Sequence, residues 1–236
     1  DGLKVYLDGV VEERTAAVIQ PYNRPAAPDA SATASSAAQP PLSAASAALG
    51  DLGSVGDEAG MGQLIWTDAE LEGLIKASMD SAAIRELHFH AIGDRAAAQL
   101  ARVFPRAAPG LDSEAAKGSN HDVTVVGKET SPEGRDGACF DVQVAHVQLV
   151  SPDDVPKFSR WGWRGIFSPL WFDEPPPTQR LLEDALGPER AATQYPWRGL
   201  DLPRLAFGSD HPVSSADPLL GVRAAVAAGM PPALAL

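Results

Sequence analysis

The sequence predicts an α/β fold built on a parallel sheet, and three observations carry that reading. Short apolar runs alternate with helix-period patterns, as in βα units. Helix-start signals follow the strand-like runs. Three of the five histidines and one aspartate fall at the C-terminal ends of predicted strands, where parallel α/β folds place their sites.

Taken in order, Leu3 to Asp8 reads as a strand with Leu3, Val5 and Leu7 on one face and Lys4, Tyr6 and Asp8 on the other. Thr67 followed by Glu70 forms a capping box before Leu71, Leu74 and Ile75, so a helix is predicted to about Met79. Glu86 to His90 is the next strand. Gly93 and Asp94 lead into a helix bearing Ala97, Leu100, Ala101 and Phe104, which Pro105 is expected to end. Asp141 to His146 is a strand followed by Ser151 as N-cap and Pro152 at the first helical position. Gly165 to Ser168 and Leu205 to Gly208 complete five strands. The last feeds Ser209-Asp210-His211-Pro212 and a helix from Pro218 to about Ala228.

Two stretches depart from this pattern. Residues 23 to 60 are dominated by Ala, Ser, Pro and Gly and read as a disordered insertion. Residues 107 to 138 are polar and Gly-rich and read as a second long loop, with a short strand at Val123 to Val126. Without them about 165 residues remain, the length of one domain spanning 1–236.

Composition excludes several function classes. With 19 Lys+Arg against 31 Asp+Glu the formal charge is −12, which argues against a nucleic-acid-binding surface. Cys139 is the only cysteine, so neither a disulfide framework nor a thiolate cluster is available. No run approaches the roughly 20 apolar residues of a membrane span, and nothing reads as a signal peptide. No membrane partner and a cytoplasmic location are expected. The chain opens on Asp1 with Lys4 already in a strand-like run, and reads as a piece of something longer.

His90, His146 and Asp210 end separate strands, and histidine with carboxylate suits Zn, Mn, Fe or Ni better than a thiolate-dependent site. His88 shares a strand and a side with His90, but one strand tip needs one ligand, so packing is its simpler role. His121 lies in the second insertion and reads as solvated. His211 beside Asp210 reads equally as a substrate contact or as a loop residue. Asp94 reads as a helix-start carboxylate favoured by the macrodipole. Lys4 has two readings. On a barrel-lining strand its ammonium is buried and must be neutralised, paired or modified; on an edge strand it is a surface lysine.

These segments together resemble the YtcJ-like branch of the metal-dependent amidohydrolase superfamily, amidohydrolase family 3. The matching stretches are KVYLDG from Lys4, RTA from Arg14, HFHAIGDRA from His88, AHVQLVSPDD from Ala145, SPLW from Ser168, LGPER from Leu186, YPW from Tyr195 and LAFGSDHPV from Leu205. Order and approximate spacing agree across nearly the whole chain outside the insertions.

The resemblance implies a partial (β/α)8 barrel covering the fourth to eighth strands. The family's first-strand His-x-His pair, its second and third strands and its β-sandwich have no counterpart in these residues. Position by position, it implies that Lys4 is the lysine that becomes carboxylated and that His90 and His146 are the fifth- and sixth-strand ligands. Asp210 corresponds to the eighth-strand aspartate that binds metal and handles the proton of the attacking water. It implies substrate contacts at Arg14, Gln148, Trp171 and His211. Ala145 and Ser168 stand where many relatives have Glu and Gln.

The implied cofactor is a divalent transition metal, zinc first, as one ion or two. The implied activity is hydrolysis of a non-peptide C–N bond in a small-molecule substrate, with a homo-oligomer allowed. The alternative is a truncated, catalytically inactive barrel remnant that serves as a binding or assembly module.

Overall fold

A computed structural model describes residues 1–23, 60–108, 141–172, 176–198 and 204–231. The expected insertions at 23–60 and 107–138, including the short strand and His121, fall almost wholly outside these residues. The strands are β1 (Gly2–Tyr6), β2 (Glu86–Ala91), β3 (Asp141–His146), β4 (Arg164–Phe167) and β5 (Arg204–Phe207). The helices are α1 (Asp68–Asp80), α2 (Asp94–Ala107), α3 (Val155–Arg160), α4 (Pro176–Leu186), α5 (Pro188–Ala191) and α6 (Pro218–Ala227).

The five strands form one sheet in sequence order, and every neighbouring pair is parallel. Register fixes the faces, because partnered residues in a parallel ladder point the same way. One row runs Val5, Phe89, Val144, Gly165, Leu205 and faces the helices. The rows on either side put Lys4 with His88, and Tyr6 with His90, on the opposite face.

Helix-facing residues make the main core. Val5, Leu7, Leu87, Phe89, Val142 and Val144 from the strands pack with Leu71 and Ile75 of α1, Leu100 and Phe104 of α2, and Phe158 of α3. Trp163, just before β4, lies edge-on to both Phe104 and Phe158 at ring separations of 5.3 and 5.0 Å. The alternation of the strands thus places aliphatic and aromatic groups under the helices, while the other face carries the polar row Lys4, His88, Gln143 and Arg164 and, beyond it, the row Tyr6, His90, Ala145, Ile166 and Ala206. Among the described residues no helix is long and apolar enough to cross a membrane.

Helix α1 begins as its sequence predicts. The Thr67 hydroxyl accepts from the Glu70 amide at 3.3 Å, and the Thr67 amide donates to the Glu70 carboxylate at 2.9 Å. Two of the donors that a helix start leaves over are thereby satisfied. Thr67→Ala is expected to lower stability by about 1 kcal/mol, read as a shift of the urea midpoint at constant slope.

Two local expectations are corrected and one helix is added. Helix α2 does not stop at Pro105 but runs to Ala107. The proline forfeits one main-chain bond in the last turn, and the Ala108 amide still closes on the Phe104 carbonyl at 2.9 Å. Helix α3 starts at Val155 rather than Pro152, since the amides of Asp154 and Val155 both return to the Ser151 carbonyl as a turn. Pro156 is then the proline of the first helical turn, where no N–H is needed. Helix α4 was not anticipated; its buried residues Leu182, Ala185 and Leu186 sit at helical spacing and pack with Val11, Val18 and Ile92 in a second apolar cluster.

Candidate functional site

The C-terminal tips of β1, β2 and β3 meet at one place. After Tyr6 the chain turns through Asp8 and Gly9, and the Asp8 carboxylate is 2% exposed. It accepts three main-chain bonds: from Ala17 at 3.0 Å, Ile92 at 3.0 Å and Gly93 at 2.7 Å. Beside it the His90 imidazole, at the end of β2, places Nε2 3.1 Å from the Gly9 carbonyl and 3.7 Å from the Asp8 carboxylate.

His146 reaches the same place by an exception to strand alternation. Register pairs it with Ala91, whose side is the helix face. Its φ of 71°, followed by 47° at Val147, is left-handed and turns the side chain away from that face. The His90 and His146 rings consequently lie 4.6 Å apart, edge to face. Tyr6 covers the other side of His90 at 4.9 Å, and Trp171 stacks on His146 at 5.1 Å with the planes 5° apart.

The electrostatics suit neutral imidazoles. Burial is the largest influence on His90 and holds it down at about 4, with the Gly9 bond opposing and Lys4 and His88 adding to the shift. His146 lies well below the usual histidine range through burial first, then His90, Lys4 and His88. His88 is lowered by burial and by Lys4, while Glu86 and Asp210 oppose. Asp8 moves the other way: burial outweighs its three amide bonds and raises it to about 7.

These shifts set a pH dependence for the metal-free protein. Folded His90 and His146 bind fewer protons than the unfolded chain between about pH 4 and 6.5, so their contribution is complete above that window and is lost as pH falls through it. Asp8 has the opposite sign, because its folded carboxyl retains a proton that the unfolded chain has released. Glu12 and Asp94, also raised by burial, share the sign of Asp8, and His88 shares that of the pair, so the pair's part is read by difference. The urea midpoint of the parent is expected to climb more steeply than that of His146→Ala from about pH 4.5 to 6.5, and equal slopes contradict a neutral His146.

The donor set fits a divalent ion in part. His146 Nδ1 is buried without a hydrogen-bond partner, as is His88 Nε2. With Nε2 of His90 committed to a carbonyl, Nδ1 is the nitrogen left for a ligand. Among the described residues, however, no three His, Cys, Asp or Glu side chains come together as a metal-holding group.

The structure separates the remaining expected residues. Asp210 sits after β5 with φ 51°, partly exposed; its charge acts on His88, but it does not join the histidine pair. Lys4 is exposed on β1 at the sheet edge, with its ammonium 5.0 Å from the Tyr6 ring centroid. The burial expected of a barrel-lining lysine is therefore not observed; among the described residues no strand pairs with that side of β1. Arg14 occupies a left-handed turn after β1, and its Nε is buried and unpartnered. Gln148 is 2% exposed and donates to the Gln194 side chain at 2.5 Å, while its carbonyl accepts from the Tyr195 amide at 2.8 Å. It anchors the 191–195 segment. His211 is exposed, and its amide donates to the Ser209 hydroxyl. Asp94 accepts from the Ile19 amide at 2.8 Å, a structural bond at the start of α2.

Two contributors were not anticipated. Asp8 and Tyr6 both touch His90 or its carbonyl partner, and the signal for them was present: both lie on the polar face of the first strand, at its C-terminal end. Trp171 also borders a cavity of about 340 Å³ lined by Phe172, Leu182, Ala191, Gln194 and Tyr195. The histidine pair and this cavity therefore share one indole as their common wall.

Comparison with known proteins agrees with this architecture. The family model described as the amidohydrolase family matches residues 1–230. No curated protein matches. An uncharacterized metal-dependent hydrolase from Pyrococcus furiosus superposes with a TM-score of 0.59 at 19% identity, over 94% of this chain and 33% of that one. An uncharacterized metal-dependent hydrolase from Pyrococcus horikoshii OT3 gives 0.60 at 22% identity, over 97% and 33%. At these identities the likeness is one of fold. The chain spans about a third of the length of either structure. With the all-parallel sheet, these matches bear out the α/β fold and its partial-barrel form.

Proposed function

The chain belongs to the amidohydrolase family, and from that premise we propose that it contributes the later strands of a metal-dependent hydrolase that cleaves a non-peptide carbon–nitrogen bond. The observation that carries the reading is the His90–His146 pair: two buried, neutral imidazoles 4.6 Å apart, one with an orphaned nitrogen and one whose other nitrogen is already bonded. Neutral imidazole is the ligating form, so the pair needs no deprotonation to take an ion. The description of the two Pyrococcus structures as metal-dependent hydrolases supports the same direction.

In this reading His90 and His146 hold the ion, zinc first, with Asp210 and a carboxylated Lys4 completing the set. When bound, such an ion supplies Lewis acidity that activates water and polarises a carbonyl. The residues of the chain do the remaining work. The Asp210 carboxylate accepts the proton of the attacking water and returns it to the departing nitrogen. Lys4 as an ammonium acts unfavourably on all three nearby histidines. Attack of its neutral amine on carbon dioxide, with loss of a proton, forms a carbamate and reverses the sign of that charge. Trp171 fixes the His146 ring by stacking and presents the adjoining cavity to a substituent of the substrate.

The test is metal content and hydrolysis measured together. Protein loaded with zinc in bicarbonate buffer is assayed on amide, carbamate and cyclic-amide substrates. Stoichiometric metal with turnover on one class supports the reading. Protein that takes up no metal under any loading condition overturns it.

A second reading, that the chain is a non-catalytic barrel remnant acting as a binding or assembly module, is favoured by one observation. Among the described residues no group of three ligating side chains is assembled. Metal binding without turnover on all three substrate classes would favour this reading over the first.

A further inference from the structure

We propose that Asp8 is a positioning residue for His90: it fixes the tautomer and the direction of the imidazole that faces the site. The inference rests on the reading of His90 as a metal ligand given above.

The argument begins with what Asp8 holds. Its carboxylate is buried and binds amides from two separate stretches, Ala17 in the loop after β1 and Ile92 and Gly93 just beyond β2. The Arg95 amide bonds to the Ala17 carbonyl at 3.0 Å, and the Leu7 amide bonds to the His90 carbonyl at 3.0 Å. Asp8 therefore pins the chain immediately before Gly9 and two residues after His90. Both ends of the Gly9 carbonyl–His90 Nε2 contact are set by one side chain.

The second step concerns the proton. A carbonyl only accepts, so the 3.1 Å contact requires that Nε2 carry the hydrogen. The Asp8 oxygen 3.7 Å from the same nitrogen favours a proton there. Nδ1 is then left with its lone pair, while Tyr6 and His146 bracket the ring. Lys4 and His88 are the other charged or titratable groups acting on it.

An amide at position 8 cannot reproduce this. Asp8 uses one oxygen for Ile92 and the other for Ala17 and Gly93. Asparagine must turn its NH₂ toward one of these sets. With its oxygen kept on the pair of donors, the NH₂ meets the Ile92 amide and the His90 Nε2 hydrogen together. The imidazole then gains by carrying its proton on Nδ1 instead, which removes the free nitrogen.

The experiment uses the full chain with ¹⁵N-labelled histidine. Metal-free protein is expected to show His90 as the Nε2–H tautomer in long-range ¹H–¹⁵N spectra. Asp8→Asn is expected to populate the Nδ1–H form and to weaken Zn²⁺ binding at least about tenfold, the lower end for outer-shell partners of ligating histidines. Leu71→Ala loosens the helix side of the sheet without touching the site, and it is expected to leave the tautomer unchanged. Finding His90 as Nδ1–H in the unsubstituted protein overturns the proposal, and that spectrum decides the matter even where Asp8→Asn does not fold. An unchanged tautomer in a folded Asp8→Asn protein also overturns it, as does an equal tautomer shift in Leu71→Ala. Should the unsubstituted protein show the Nε2–H form and the expected response to Asp8→Asn yet bind no Zn²⁺, the metal reading is lost and Asp8's control of the imidazole stands.

Discussion

Replacing His146 by alanine is expected to remove bound metal and hydrolysis together. A methyl group offers no lone pair, and the neighbouring imidazole alone makes a poor site for a divalent ion. Loss of a partner behind a ligand already weakens metal binding by about 10–100-fold, so loss of the ligand itself is expected to exceed about a hundredfold. Stability should change little. The variant gives up one ring stacked on Trp171 at 5.1 Å, a contribution of about 0.5–1.5 kcal/mol. It also removes a buried nitrogen that has no partner, which offsets part of that loss. Metal content by mass spectrometry, with circular dichroism to confirm the fold, provides the check; unaltered zinc stoichiometry in this variant would end the assignment of His146 as a ligand.

Gly93→Ala is expected to produce the larger structural defect. A Cβ at this position would fall inside van der Waals contact with the Ala17 carbonyl, and the obstacle is main chain, not a side chain that can swing aside. The loop after β1 must move away from the β2–α2 junction. That movement weakens the Gly93 and Ala17 bonds to the Asp8 carboxylate and strains the bond from the Arg95 amide to Ala17. Overpacking costs about 1–3 kcal/mol and an unsatisfied buried polar group about 1–3 more, so a loss of about 2–6 kcal/mol is expected. Chemical denaturation reads the loss. A variant within about 1 kcal/mol of the parent would show that the junction can relax, since surface substitutions rarely exceed half of that.

Much of the fold was legible because its signals are local. The Thr67–Glu70 pair and the two-residue alternation of Leu3 to Leu7 act within one turn or one strand, so sequence spacing alone announces them. The missed parts depend on distant partners. Asp8 bonds to Ile92 and Gly93, 84 and 85 positions away, and nothing in the neighbouring residues reveals those donors. The alternation of β3 would turn His146 toward the helices; only its left-handed torsion brings it to His90, and a histidine there carries no glycine or asparagine to announce the turn. Gln148, which resemblance marks as a substrate contact, is buried against Gln194, a partner 46 positions on. Helix α4 opens on two prolines, which a first turn tolerates well but which give no helix signal of their own.

The pair of left-handed residues at the end of β3 has a consequence for how such a protein can diversify. Where the second imidazole points is written in two torsions of the main chain, while the cavity beyond Trp171 is shaped largely by side chains of α4 and the 191–195 segment. On the proposed reading, ion grip and substrate preference would reside in different stretches of the polypeptide. A descendant can remodel what it accepts by altering the latter, and keep the former untouched.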